Sequence, residues 1–345
     1  MSVQVTLTLR QRQILRRVVE EHVASGQPVG SKTLVERAAL PMSSSTVRNE
    51  LAELEARGLL THPHTSAGRV PTEQGYRYYA DELLDRLEPR PQEFPLDLSQ
   101  TRREVESALQ ATTEMLSSVT RLLALVSAPP LEATTVRHVE VLLLQPRVVM
   151  VVLITSAGGV TKRAFEFEDP VDPGLAGWAG EYVNETVAGL QLGTALLRRR
   201  FDDPGLTARE RGFLGAIRPA FVDLVAAEQR LFVGGAAELL EDVRGEELDS
   251  YRRLLELLEK RAAMLEVLGE TLDPRRPFVR LGHELESFAL HDVALVGACY
   301  GLVHRSLGSV GLIGPVRMDY DKAIRTVRAA ASELSRFVES VYTEN

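Results

Sequence analysis

The chain of 345 residues has a single cysteine, Cys299. No intrachain disulfide can form, and such sparing use of cysteine fits a reducing compartment. No apolar run approaches the roughly 20 residues that span a bilayer. The first residues, MSVQVTLTLRQRQ, lack the apolar core of a secretion signal. A cytoplasmic protein without a membrane partner is expected. Positive charge is also in short supply, since the formal net charge is -8, which at first argues against nucleic acid. The sequence shows no internal repeat and no low-complexity tract. One local absence runs the other way: the stretch HTSAGRVPT, from His64 to Thr72, contains no acid.

What is present is globular, with 44% hydrophobic and 26% charged residues, and the length suggests two or three domains. Charge is unevenly spread. Residues 1–80 carry ten Lys and Arg against seven acids, a balance of +3 that leaves -11 for the rest. A mildly basic head on an acidic body permits a nucleic-acid module without demonstrating one.

Thr8 caps a first helix, LRQRQILRRVVEEHVAS, which stops at Gly26. Leu9, Ile14, Leu15, Val18, Val19 and Val23 give it an apolar stripe at helical spacing. Ser31 caps a short helix, KTLVERAAL, that Pro41 closes. Ser43 and Ser44 offer caps for a third, and Gly58 sits where a helix end favours a left-handed residue. LLTHPHTSAGRVP then reads as two short strands turning at Ala67-Gly68, with Pro63 restricting the first to an edge. A fourth helix follows from Thr72. Three helices and a hairpin make a winged helix-turn-helix.

The segment 89–99, with prolines and no periodicity, is the expected linker. A long helix is expected from Gln100 to about Ser127. VRHVEVLLLQPRVVMVVLITSAGGVTKRAFEF then reads as a three-stranded antiparallel meander. Residues from 171 to about 274 look mostly helical. FVRLG, VALVGACY and SVGLIGP return to strand before a final helix from Asp319 to Tyr342. The whole is an α+β multidomain chain, one α+β domain being interrupted by a mostly helical insertion.

The third helix can be read on a wheel. With Val47 at zero and about 100° per residue, Leu51 and Leu54 set the buried direction near 10°. Ser45 and Asn49 point away from it, and Thr46 and Arg48 lie on its flanks. Asn pairs with adenine through two bonds, Arg pairs with guanine, and hydroxyls meet phosphates or bases. In helix-turn-helix proteins these are the positions that touch bases. The acid-free hairpin fits the same picture. Its small residues admit backbone N–H groups to phosphate, and Arg69 supplies a cation. A solvated helix face and an ordinary polar turn are the plainer alternatives; the helix, turn, helix and hairpin together favour DNA.

Other clusters carry less. His283, Glu284, His291 and Asp292 crowd into GHELESFALHD, but Ser287 stands where a zinc-binding HExxH helix needs its second histidine. Gly308, Gly311 and Gly314 read as a tight strand turn, Gly234-Gly235 as a helix start, and Cys299 as a buried small hydrophobe. No nucleophile, base and orienting group assemble, so neither an enzyme nor a cofactor is expected.

GSKTL (30–34), SSSTVRNELAELEARGLL (43–60) and HTSAGRVPTEQGYRYYAD (64–81) resemble the HrcA family of bacterial heat-inducible transcription repressors, as do FVGGAAELL (232–240), VRLGHELE (279–286) and GLIGPVRMDYDKAI (311–324). Pro41-Met42-Ser43-Ser44-Ser45 departs from the family's plainer Leu-Ser-Ser. The resemblance implies a winged-helix head over 1–88, a GAF-like domain over 100–170 and 275–345, and an inserted dimerisation domain over 171–274. It further implies a homodimer on an inverted-repeat operator of CIRCE type, ahead of chaperonin and DnaK-system genes. A GroEL-type chaperonin would keep the repressor active until heat-damaged proteins draw it away. The candidate DNA-binding residues are then Ser31, Lys32, Ser44, Ser45, Thr46, Arg48, Asn49, His64, Thr65, Ser66, Gly68 and Arg69. The dimer contact is expected on LVAAEQRLFVGGAAELL and YRRLLELLEKRAAMLEVL. The alternative is a regulator that senses a small molecule in the GAF-like domain. A roomy interior pocket with convergent polar groups would favour that reading.

Overall fold

Thr8 fixes the start of helix α1 (Leu9–Ser25) through a capping box: its hydroxyl accepts from Gln11 N–H, and Gln11 returns the bond to the Thr8 backbone. Gly26, at φ 65°, closes the helix in the left-handed region. These are features of a computed structural model that describes residues 6–37, 42–63, 68–98, 105–129, 134–156, 158–222, 231–236, 276–285, 293–302 and 305–343. Of the expected stripe Ile14, Leu15, Val18 and Val19 are buried, Val23 is half-buried and Leu9 is 72% exposed, while Gln11 is buried in its place. The wheel gives the reason. Leu9 lies about 150° from the mean direction of Ile14, Leu15, Val18 and Val19, and Gln11 lies within about 10° of it.

Helix α2 (Ser31–Arg37) starts at Ser31 itself, and helix α3 (Ser44–Ala56) is capped by Ser43, whose hydroxyl accepts from Thr46 N–H. Strands β1 (Leu60–Thr61) and β2 (Val70–Pro71) pair antiparallel, so β1 has ended before Pro63. Helix α4 (Glu73–Asp85) follows from a Thr72 cap. The stretch expected as a linker is fastened down. Phe94 and Leu98 are buried, and the Glu88 and Pro89 carbonyls accept from Arg328.

Helix α5 (Val105–Thr120) stops short of the expected Ser127, because Arg121 takes a left-handed φ of 56° and LALVS becomes strand β3 (Leu123–Ser127). A short apolar run with no polar alternation suits either state, and here pairing decides. Strands β4 (Val136–Gln145), β5 (Val148–Thr155) and β6 (Val160–Glu166) form the expected meander. It is a separate three-stranded sheet. Helices α6 (Pro173–Val187), α7 (Ala195–Phe201), α8 (Ala208–Ile217) and α9 (Pro219–Val222) share its core, which includes Val139, Val149, Val151, Leu153, Val183, Phe201 and Phe221.

Strand β7 (Leu231–Gly234) occupies part of the expected helical dimer segment. It pairs with β3 at one side of a five-stranded antiparallel sheet ordered β7-β3-β10-β9-β8, whose other members are β8 (Phe278–Leu281), β9 (Val293–Leu302) and β10 (Arg305–Pro315). Helix α10 (Tyr320–Thr343) packs on β9 and α5, and its apolar core is continuous with that of α1 to α4. Gly308 and Gly314 lie within β10 rather than in a turn. At Gly308 an added Cβ would sit 2.6 Å from the Tyr300 ring, so the glycine makes room for an aromatic. Cys299 is half-buried beside Ser309, not enclosed.

Candidate nucleic-acid interface

Helix α3 buries Val47, Leu51 and Leu54, the inward set given by the wheel. Its opposite side exposes Ser45, Arg48 and Asn49 together on the first two turns. Thr46 is half-buried, and its hydroxyl lies 2.8 Å from that of Ser43. Ser45 Oγ lies 2.9 Å from the same Ser43 oxygen. One capping hydroxyl therefore gathers the start of the helix, where unpaired N–H groups and the helix dipole favour an anion.

Ser44 is turned differently. Its Oγ lies 3.0 Å from Ser31 Oγ, so the first turns of α2 and α3 are joined by their hydroxyls. Lys32, next along α2, is exposed. The α2–α3 pair thus presents Lys32, Ser45, Arg48 and Asn49 outward, and Ser31 and Ser44 tie it together.

The hairpin places its residues less freely than its composition suggests. His64, Thr65 and Ser66 lie outside the described residues. Gly68 has little space, since an added Cβ would meet the Val29 carbonyl carbon at 2.5 Å. The small residue is required because Arg69 bridges Val29 in both directions, N–H to O at 2.8 and 2.9 Å. Arg69 also donates from Nε to Glu55 Oε2 at 2.9 Å. The other Glu55 oxygen meets His62 Nδ1. Glu55 stands in the last turn of α3, so one carboxylate holds both sides of the hairpin against that helix. Nothing in the sequence marks it, because Arg69 is 14 residues away.

Among the described residues, no group of three or more His, Cys, Asp or Glu is placed to hold a metal ion. His283 and Glu284 sit in a short 3-10 turn over Gly282–Glu284 that faces α4, while His291 and Asp292 lie outside the described residues. Gly235, at φ 84°, has no space for a side chain, since an added Cβ would meet Leu122 O at 2.6 Å and Ser117 Oγ at 2.7 Å. A cleft of about 440 Å³ lies beside α10, lined by Cys299, Arg305, Arg328, Ser332 and Ser335 among others. Arg328 and Ser335 are already bonded within the chain, to Glu88 and Pro89 carbonyls and to Gly301 N–H. The space between the sheet and α10 is filled by Tyr300, Leu312, Ile324, Val327 and Leu334. No helix among the described residues is long and apolar enough to cross a membrane.

The family model of the HrcA protein C terminal domain matches residues 106–324. The heat-inducible transcription repressor HrcA of Mycobacterium sp. (strain KMS) is 35% identical over 332 residues, 93% of this chain and 95% of its own. Its counterpart in Leifsonia xyli subsp. xyli is 34% identical over 335 residues, covering 95% and 98%. A crystal structure of a hypothetical protein shares the fold, with a TM-score of 0.66 at 24% identity, covering 97% of this chain and 100% of that one. The class is thus that of transcription repressors, which are not enzymes. Within it, the chain belongs to the HrcA family.

Proposed function

We propose that the chain is a cytoplasmic repressor of heat-shock genes that binds an inverted-repeat operator of CIRCE type as a homodimer. The carrying observation is the shared exposure of Ser45, Arg48 and Asn49 at the start of α3. In this reading residues 1–88 are a winged helix-turn-helix, α3 enters the major groove, and the hairpin meets the adjacent backbone. Arg48→Ala and Asn49→Ala are each expected to cost about 1–3 kcal/mol of discrimination between operator and scrambled duplex. Equal discrimination in both variants and the wild type would remove α3 as the reader. The chaperonin's part rests on the family resemblance. Titrating both duplexes over a range of salt, with and without a GroEL-type chaperonin, tests it: tighter operator binding with chaperonin supports the feedback, and no change rejects it.

Arg69 contributes to this interface through Glu55. Removing the Glu55 charge leaves Arg69 facing phosphate without a counter-charge. Glu55→Gln is therefore expected to raise affinity for every duplex and steepen the salt slope by about one. Arg69→Ala is expected to lower the slope by about one. A fall in affinity with Glu55→Gln would show that holding the hairpin matters more than its charge.

The five-stranded sheet with α5 and α10 is the GAF-like unit in this reading. The inserted dimerisation unit is the meander with α6 to α9, and the insertion then begins near residue 134, not 171. Two sheets with two separate apolar cores support that division. The apolar residues packed between the sheet and α10, and the engagement of Arg328 and Ser335 of the cleft in bonds within the chain, support a repressor over a small-molecule sensor.

The dimer contact follows from the meander. Alternate residues of β5 (Val149, Val151, Leu153) face its core, and Met150, Val152 and Ile154 line the opposite face. Leu142, Leu144, Val160 and Ala164 flank them, exposed. An apolar sheet face of this kind marks an interface. The β4 edge is closed: Asn184 accepts from Val139 N–H at 2.8 Å and donates to Val139 O, and Gly189 N–H reaches Val136 O at 2.7 Å. The cross-strand rows read Glu140–Val152–Lys162 and Leu142–Met150–Ala164. A twofold axis laid along β5 sets β4 of one copy over β6 of the other. Glu140 then meets Lys162, and Leu142 covers Ala164. The face is complementary to itself, as a twofold interface requires. YRRLLELLEKRAAMLEVL, the other expected contact, lies outside the described residues.

A further inference from the structure

Helix α4 leaves the hairpin and reaches the five-stranded sheet with its polar side. Arg77 Nη1 donates to the Val279 carbonyl of β8 and to Glu284 Oε2, at 3.2 Å for the latter. Glu284 also accepts from Leu281 N–H at 3.0 Å, so the carboxylate that shapes the 282–284 turn is the one that holds Arg77. One helical turn earlier, Glu73 Oε1 accepts from the His283 backbone N–H at 3.1 Å, and its other oxygen lies 3.3 Å from His283 Nδ1. Arg77 stays charged here above its ordinary range. Burial opposes the charge, and bonds to Asp81 and Glu284 outweigh it. On the flank of the same contact, Arg317 Nη1 donates to Val23 O of α1 at 3.4 Å.

We infer that the 282–284 turn, gripping Glu73 and Arg77, is a latch that fixes the angle of each DNA-binding head on the body, and so sets the half-site spacing that the dimer accepts. This rests on the operator-binding reading above. Arg77 and Glu284 are positioning residues, remote from α3. Two apolar patches could hold the head while letting it rock. Directional bonds on two successive turns of α4 remove that freedom, because each has one productive geometry. Two fixed heads match one spacing along the duplex. Heads that swivel tolerate several, with less gain from the second contact at the best one.

The test uses the full-length protein and four duplexes: the inverted repeat, the same repeat with its spacer lengthened by about 5 base pairs (half a helical turn), a single half-site, and a scrambled duplex. Wild type is expected to lose about 100-fold in affinity on the lengthened spacer, the gain from two-headed binding. Arg77→Ala is expected to lose only about ten-fold and to bind the single half-site like wild type. The conservative variant Arg77→Lys, which keeps a charged donor for Val279 O and Glu284, is expected to recover part of the spacing preference at unchanged half-site affinity, a rescue that a folding defect would not give. If wild type and Arg77→Ala discriminate the spacers equally, the latch is overturned and the operator reading stands. If wild type prefers neither inverted repeat over a scrambled duplex, the operator reading falls and the inference with it.

Discussion

Val152→Arg is expected to turn the proposed dimer into a monomer and to weaken the proposed operator binding by about 10²- to 10⁴-fold, the range that linked binding supplies. In the proposed dimer the twofold axis along β5 brings Val152 against its own copy, so one substitution places two like charges face to face, where the neighbouring Glu140 is already matched by Lys162 across the axis. Burying them costs far more than the apolar contact they replace. Within the monomer the same side chain stands on the outer face of the meander, away from Val149, Val151 and Leu153. The fold should therefore lose no more than about 0.5 kcal/mol. Sedimentation or light scattering reads the mass, and a single half-site duplex reads the intact head. A Val152→Arg protein that remains dimeric would reject this face. Glu140→Lys with Lys162→Glu on the same chain, which keeps the pairing across the axis, is expected to stay dimeric.

Tyr320→Ala is expected to cost about 3–5 kcal/mol of stability. Tyr320 begins α10, is fully buried, and is the point where the head's aromatic residues meet the body. Its ring lies 5.9 Å from that of Tyr76 and 6.5 Å, edge-on, from that of Tyr79. Such pairs contribute about 0.5–1.5 kcal/mol each beyond their buried area. The hydroxyl donates to Val316 O. Burial pushes the phenol well above its ordinary range, so it remains a neutral donor. Tyr76 carries the connection on to His22 of α1, with its oxygen 2.7 Å from Nδ1. Tyr320→Phe keeps the rings and orphans one carbonyl, which is expected to cost about 1–3 kcal/mol. Urea unfolding gives both values, and hydrogen exchange along α4 should rise steeply in the alanine variant. Unchanged exchange in α4 would mean that the head is held by something other than this cluster.

Much of the head was legible in the sequence because its signals are local. Thr8 caps α1 as the pattern assigned, Ser43 is the one of the two offered serines that caps α3, α4 follows from Thr72, and Gly26 ends α1. The wheel found the outward set of α3 because Val47, Leu51 and Leu54 leave only one way to bury that helix. The same reasoning misplaced Leu9, where a first-turn leucine was counted into a stripe that its angle excludes. It also carried α5 through LALVS, since periodicity cannot separate a buried strand from a buried helix. Glu55 was invisible as part of the interface. A carboxylate on a helix carries no sign of the arginine it will meet 14 residues on.

The sequence by itself determined the helices and hairpin of the head with two of their caps, the polarity of the α3 surface and the kinship with transcription repressors. Each of these is written in residues a few positions apart, within reach of one helical turn or one strand pair. Only the tertiary structure decided that β4 to β6 form their own sheet, with alternate residues of β5 facing opposite ways into a core and an open apolar surface. It alone brought Arg77 to Glu284, 207 residues away. Apolar strands fit any sheet that will bury them and charges fit any opposite charge, so the choice among partners is made by packing of the whole chain.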